Sequence, residues 1–311
     1  MRVSLTIGTR GSQLALWQAE LVRSRMIETY GCEVVLKKIK TTGDKILDSP
    51  LAKIGDTGLF VKEIEVALAK GEVDLAVHSM KDLPTELLPE LTIGAYLKRD
   101  NPADALISRE GLLLADLPEG AVIGTSSLRR KAQLMAYSPD FRFVDMRGNV
   151  DTRLRKLEEQ KLDAILLSGA GLTRLGWEDK ITERLPAEIV VPAVGQGVIA
   201  VEIRRDDEEM IELADQLNDV ETEYCVVAER SFSLAIEGGC QIPMGALAIL
   251  DGGVLSLRAV VASLDGKRVV KDRIEGDPSE GDELGRKLAS RMLAAGADKI
   301  LEEIRCETTG E

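Results

Sequence analysis

The chain has 311 residues, 44% hydrophobic, 30% charged and only 3% aromatic, with a formal net charge of −13. That length accommodates two or three domains with separate cores. The acidic balance and the scarcity of rings exclude a general nucleic-acid binder, which needs a basic footprint and stacking side chains, so any anionic ligand must be held by a local group of cations.

The N-terminus, MRVSLTIGTRGSQ, has no uninterrupted apolar stretch and turns polar after Ile7. No secretory signal is expected there, no later run approaches membrane-spanning length, and the expected compartment is the cytoplasm, with no membrane partner. Strand-like runs RVSLTIG, EVVLKKI, VDLAVHS, AVIGT, FRFVDM and LDAILLS alternate with helical patterns such as SQLALWQAELVRSRM and LFVKEIEVALAKG. This alternation predicts an α/β fold with largely parallel sheets. Two short echoes divide the first 200 residues: IGTRGSQL (Ile7 to Leu14) with IGTSSLRR (Ile123 to Arg130), and VDLAVHS (Val73 to Ser79) with LDAILLS (Leu162 to Ser168). They suggest two similarly built domains. Turn-rich KRDNPAD (Lys98 to Asp104) and VPAVGQG (Val191 to Gly197) are the expected hinges, with a cleft between the domains. After about Val220 the pattern changes to a helix over Glu221 to Ile236, three strands in IPMGALAIL, VLSLRAVVASL and KRVVKDRIEG, and a last helix from about Glu280 to Arg305. This tail reads as a small α+β domain with an antiparallel sheet.

Several motifs can be set aside. GAGLTRLG, Gly169 to Gly176, begins like a dinucleotide fingerprint but has Arg174 where the third glycine belongs, and GQGVIA is followed by strand alternation instead of a helix. The four cysteines, Cys32, Cys225, Cys240 and Cys306, form no Cys-x-x-Cys pair, and with the single histidine, His78, no zinc-type cluster is expected. Each cysteine is either a small buried hydrophobe or a reactive thiol. The position of Cys240, between two glycines and a proline in EGGCQIPMG, raises the second option.

Arginines recur at strand-to-helix turns: Arg10 with Ser12 in GTRGS, Arg129 and Arg130 beside the N-cap candidates Ser126 and Ser127 in IGTSSLRR, Arg147 and Arg153 in MRGNVDTRLRKL, and Arg174 in GLTRLG. Any one of these is ordinarily a solvated surface charge. Helix starts with free N–H groups and guanidinium forks nevertheless bind carboxylates, and in doubly wound sheets ligands sit at the carboxyl ends of strands, so the set can converge on a polyanion. In AVHSMKDLPTEL, Ser79, Lys81 and Asp82 follow a strand before Pro84. Asp82 is either a cap or partner of Lys81, or a carboxylate that serves something cationic in an arginine-lined cleft.

GTRGSQLAL, GLFVKEIEVAL, DLAVHSMKDLP, GTSSLRRKAQL, RGNVDTRL, PAVGQG and EGGCQIPMG, in this order and over essentially the whole chain, resemble the porphobilinogen deaminase (hydroxymethylbilane synthase) family. The resemblance implies a transferase that joins four porphobilinogen units head to tail into hydroxymethylbilane, releasing ammonia, on a dipyrromethane cofactor held by a thioether to Cys240. A thiolate is a natural trap for an electrophilic pyrrole methylene, and each pyrrole adds two carboxylates that explain arginines in an acidic protein. By the same resemblance, Asp82 is catalytic and Lys81, Asp82, Thr125, Ser127, Arg129, Arg130 and Gly171 bind the cofactor. Arg10, Ser12, Arg147, Arg153, Arg174 and Lys53 bind substrate and the elongating chain. The active-site loop LAKIGDTGLF has Thr57 where many members carry lysine. The implied fold is two periplasmic-binding-protein-like doubly wound domains, 1–98 with 197–217 and 102–192, plus a C-terminal domain, 219–311, that carries the cysteine on a three-stranded antiparallel sheet. A monomer is implied, with its product passed to uroporphyrinogen-III synthase. Two other readings compete: a non-catalytic anion-binding protein, which needs no special thiol, and a cysteine hydrolase using Cys240 and His78, which leaves the arginines unexplained.

Overall fold

A computed structural model describes residues 4–45, 60–236 and 242–309. They fall into two compact units, one of residues 4–45, 60–100 and 197–223, the other of residues 101–196, 224–236 and 242–309.

In the first unit, β1 (Ser4–Thr9) feeds α1 (Gln13–Tyr30). Ser12 caps that helix by accepting a hydrogen bond from the Ala15 N–H at 3.3 Å, a contact worth about 1 kcal/mol. Gly31, at φ 63°, ends it, donating its N–H to the Ile27 carbonyl; only glycine takes this left-handed position without strain. Ala15, Ala19, Val22 and Met26 are the buried stripe, at the spacing a helix needs to lie on a sheet. β2 (Glu33–Lys38), the short α2 (Thr42–Lys45), α3 (Lys62–Ala69), β3 (Leu75–Ser79) and β4 (Leu91–Tyr96) follow, and the chain returns later with β10 (Ile199–Arg204) and α7 (Glu208–Asp215). The sheet order is β2-β1-β3-β10-β4.

The second unit contains two sheets. The first is built from β5 (Asp104–Ser108), β6 (Val122–Gly124), α4 (Leu128–Tyr137), β7 (Arg142–Val144), α5 (Val150–Glu159), β8 (Ala164–Ser168), α6 (Gly169–Arg174) and β9 (Glu183–Arg184), in strand order β7-β6-β8-β5-β9. The second is the antiparallel meander β11 (Met244–Asp251), β12 (Val254–Ala262) and β13 (Val269–Gly276). One face of the meander packs Leu255, Leu257 and Ala259 against α8 (Val220–Ala235), α9 (Gly281–Met292) and α10 (Asp298–Thr309); Leu247 and Val260 on the other pack with Val191. Two-sided burial explains why β11 begins as a continuous apolar run and lacks alternation. The expected single final helix is broken, because Gly296 at φ 108° interrupts it between α9 and α10.

The two α/β sheets solve the same problem the same way. Ile7 and Gly8 pair in parallel with Leu75 and Ala76, and Ile123 and Gly124 with Ala164 and Ile165, which is one register in both sequence echoes. The aspartate of each echo accepts a backbone N–H from the neighbouring strand at 2.7 Å: Asp74 from Thr6, Asp163 from Val122. The sheets are mixed, however. β10 runs antiparallel to β3 and β4, and β5 antiparallel to β8 and β9, so the expectation of largely parallel sheets holds for β2-β1-β3 and β7-β6-β8 only.

Candidate active site

In the first unit the carboxyl ends of the parallel strands β1 and β3 lie side by side, and the turns leaving them carry Arg10 and Ser12, and Ser79 and Asp82, respectively. With Gln18, Phe60 and His78 these residues line one pocket. The Arg10 guanidinium sits 4.2 Å above the Phe60 ring, a cation–π contact of about 1 kcal/mol that orients the charge without neutralising it. Gln18, 1% exposed, donates to the Ser79 hydroxyl at 2.9 Å. Asp82 ends a single 3₁₀ turn, Met80–Asp82, and among the described residues no hydrogen bond or ion pair holds its carboxylate. It is therefore neither a helix cap nor a partner of Lys81, which stands beside it in the same turn. The His78 ring is engaged with a different carboxylate: it is 5% exposed, with its Nε2 3.0 Å from Oε2 of Glu202.

In the second unit three turns follow adjacent parallel strands in the order β7-β6-β8, so they share one edge of the sheet. The β6 turn holds Thr125 and Ser127. Ser127 is the N-cap of α4, accepting from the Arg130 N–H at 3.4 Å, while its own N–H donates to the Thr125 hydroxyl at 3.2 Å. Ser126, the other N-cap candidate, instead bridges to the backbone of Met146. The β7 turn holds Arg147 and Arg153, the latter donating Nε to the Gly148 carbonyl at 2.8 Å. The β8 turn runs into α6, where Gly171 and Arg174 are buried.

Arg129 and Arg130 are not solvated charges. They are 7% and 6% exposed and grip Asp104, which is wholly buried at the start of β5. Arg129 Nη1 donates to Asp104 Oδ2 at 2.6 Å, and Arg130 donates Nε at 2.9 Å and Nη2 at 2.6 Å to Oδ1. Gln196 adds a further bond to Oδ1 at 3.0 Å. Burial on its own would raise the Asp104 pKa, but the two guanidiniums hold it well below the usual carboxylate range. Two cations against one anion leave this buried group one positive charge in surplus, an environment that favours an anion nearby and disfavours a further cation.

Gly245 packs against this group. A Cβ there would meet the carbonyl oxygens of Val191 and Pro192 at 2.6 and 2.7 Å and the Arg129 side chain at 3.2 Å. The last glycine of EGGCQIPMG thus lets β11 close onto the crossing that holds Arg129. Cys240, Lys53 and Thr57 lie outside the described residues. Sequence reasoning missed Phe60, Gln18, Asp104, Glu202 and the packing role of Gly245. Only Asp104 left a signal, as the last residue of a turn-rich segment. No helix among the described residues is long and apolar enough to cross a membrane.

Two family models match: "Porphobilinogen deaminase, dipyromethane cofactor binding domain" over residues 5–212, and "Porphobilinogen deaminase, C-terminal domain" over residues 223–294. Porphobilinogen deaminase of Pelotomaculum thermopropionicum is 51% identical, covering 100% of both chains. That of Desulfitobacterium hafniense is 54% identical, covering 97% of this chain and 98% of its own. Among solved structures, a putative lipoprotein from Actinomyces odontolyticus overlays at a TM-score of 0.44 and 14% identity, covering 70% of this chain and 90% of that one.

Proposed function

Because the chain belongs to the porphobilinogen deaminase family, we propose that it performs that family's reaction, the head-to-tail joining of four porphobilinogen molecules, with one water supplying the terminal hydroxyl, into hydroxymethylbilane with release of four ammonia molecules. The observation that carries the proposal is the Asp82 carboxylate, unclaimed by any described residue in a pocket that also presents Arg10 and Ser12. In each cycle the aminomethyl C–N bond breaks and the nitrogen leaves with a proton as ammonia. A C–C bond forms from the methylene carbon to a pyrrole α-carbon, whose hydrogen is lost as a proton. Asp82 accepts hydrogen bonds from the pyrrole N–H and stabilises the positive charge that develops as the nitrogen leaves. A carboxylate tied to Lys81 could not do this at comparable strength.

Dipyrromethane supplies the terminal pyrrole on which the chain is started. Thr125, Ser127, Arg129, Arg130, Lys81, Asp82 and Gly171 are the residues assigned to hold it, with Cys240 as the covalent anchor. Arg10, Ser12, Lys53, Arg147, Arg153 and Arg174 are assigned to the substrate and product carboxylates. The Asp104 pairing refines the roles of Arg129 and Arg130: their forks are largely committed, so they contribute field and backbone placement more than free donors. The enzyme acts as a cytoplasmic monomer whose unstable linear product is passed to uroporphyrinogen-III synthase. Incubation with porphobilinogen tests the reading: acid and oxidation should then reveal a uroporphyrin-type absorption spectrum, and unconsumed porphobilinogen would refute it.

A further inference from the structure

Behind the Arg10–Asp82 pocket lies a group of titratable side chains that the proposed reaction does not use. His78, the chain's single histidine, is opposite Ala200 in the β3–β10 ladder, and Glu202 is opposite Ala76. Residues two apart share a face of a strand, so His78 and Glu202 meet diagonally on one face, with 3.0 Å between Nε2 and Oε2. Helix α3 covers that face through Ile64 and Leu68, which pack with Ala76, and contributes Glu65, 5% exposed. Glu202 is 0% exposed. Oε1 of Glu65 and Oε1 of Glu202 are both buried without a hydrogen-bond partner. The packed elements α3, β3 and β10 thus bury two carboxyl groups and one imidazole with more acceptors than donors, a shortage that one additional proton relieves.

Most charges on the surrounding elements are bound to other groups. Arg204 on β10 binds Asp207 at 2.6 Å and the Leu68 and Val73 carbonyls. Asp74, just before β3, accepts from Thr6, and Glu63 on α3 accepts from Thr42. Arg10, beyond β1, lies over Phe60; Lys62 and Lys70 stand at the two ends of α3. Burial first, then the Glu202 charge, raise the Glu65 pKa to about 7, with His78 opposing them.

We infer that Glu65 and the hydrogen-bonded His78–Glu202 pair form a buried, charge-coupled cluster that sets the charge behind the pocket, and that Glu65 acts through it as a positioning residue for an anionic ligand. The identity of that ligand, porphobilinogen, rests on the reading under Proposed function. Below about pH 7 Glu65 holds its proton and is neutral. Above it, the proton is released and one negative charge is added behind Arg10, whichever atom holds the imidazole proton. Carboxylate ligands are then opposed, so KM rises with pH while kcat carries no matching dependence on residue 65. One added buried charge at an effective protein dielectric makes the change in KM on the order of tenfold.

The single histidine makes the test direct. In the full chain carrying ¹³C,¹⁵N-histidine, the His78 ring resonances should move with a midpoint near pH 7. In Glu65→Gln, the isostere of the protonated acid, that transition should vanish or move by about one pH unit or more. Glu202→Gln, which removes the imidazole's partner, should also change the midpoint and supplies the readout should Glu65→Gln fold poorly. Flat resonances in the wild type, or unaltered midpoints in the variants, overturn the inference. So does a KM that rises with pH equally in wild type and Glu65→Gln. The NMR readout needs no substrate: a His78 transition abolished in Glu65→Gln, alongside no consumption of porphobilinogen by the wild type, supports the cluster and refutes the functional reading instead.

Discussion

Replacing Asp104 by asparagine tests how the arginine turn of the second unit is held in place. The carboxylate is fully buried and accepts from Arg129 Nη1 and Nη2 at 2.6 and 3.3 Å, from Arg130 Nε and Nη2 at 2.9 and 2.6 Å, and from Gln196 Nε2 at 3.0 Å. Burial works against its ionisation but Arg129 and Arg130 outweigh it, leaving the pKa below the ordinary range. For an acid depressed in this way, the stabilisation is fully present above the unfolded-state value, about pH 4, and is lost only as the pH falls further. A measurement at neutral pH thus samples all of it. Asparagine keeps the shape and some acceptor capacity, so the substitution removes chiefly the counter-charge and leaves two buried guanidiniums. Removing one partner of a buried pair costs about 3–5 kcal/mol. The surviving bonds from Arg129 to the Val191 carbonyl and from Arg130 to the Leu166 carbonyl keep this case within that span. A local loss of about 4 kcal/mol corresponds to a fall of nearly three orders of magnitude in amide protection, at 1.36 kcal/mol per decade. Hydrogen exchange of the α4 amides at pH 7 reads it. A change of less than about 1 kcal/mol would refute the view that Asp104 holds this turn.

Asp82→Asn should fold normally, with unchanged melting, and lose porphobilinogen turnover by orders of magnitude; near-normal rates would remove Asp82 from the mechanism. Intact-mass measurement of the wild type should show an adduct of dipyrromethane mass that is absent in Cys240→Ser, and a bare wild-type mass would favour a simple anion binder. Gly245→Ala should destabilise the second unit by roughly 1–3 kcal/mol in denaturant unfolding, since its new methyl group meets two backbone carbonyls that cannot easily move. Wild-type stability at that position would mean that β11 can shift away from Val191 and Pro192.

The parts of the fold that were legible were those in which a local pattern carries its own structural reason. Ser12 and Ser127 announce helix starts because a short hydroxyl side chain satisfies an orphan N–H, and both do so here. The paired echoes were legible because each aspartate is needed for the same backbone contact, at Thr6 and at Val122. The mixed direction of the sheets was not legible, since β5 and β10 are buried on both faces and neither burial nor strand alternation has a direction written in it. Gly296 gave no warning of a broken helix, because a glycine within a helical pattern is compatible with continuation as well as with a break.

The site divides along the same line. Arg10, Ser12, Asp82, Ser127, Arg129 and Arg130 could be read as candidates because they follow strands at turns, where sequence neighbours are also spatial neighbours; Thr125 entered through the resemblance alone. Their supporting partners are distant in sequence: Asp104 lies 25 and 26 residues from its arginines, and Glu202 lies 124 from His78. No local pattern marks a lone acid in an apolar strand as the counter-charge of something far away. Only closure of the sheet brings them together, and both acids enter through an antiparallel strand, β5 or β10. The strands whose direction the sequence concealed are therefore the ones that deliver the hidden charges, and each does so beside a parallel strand whose turn bears a candidate site residue. An acidic protein can hold a polyanion on these terms: local cations decide, and of its buried acids Asp104 is matched by two guanidiniums and Glu202 faces the one imidazole.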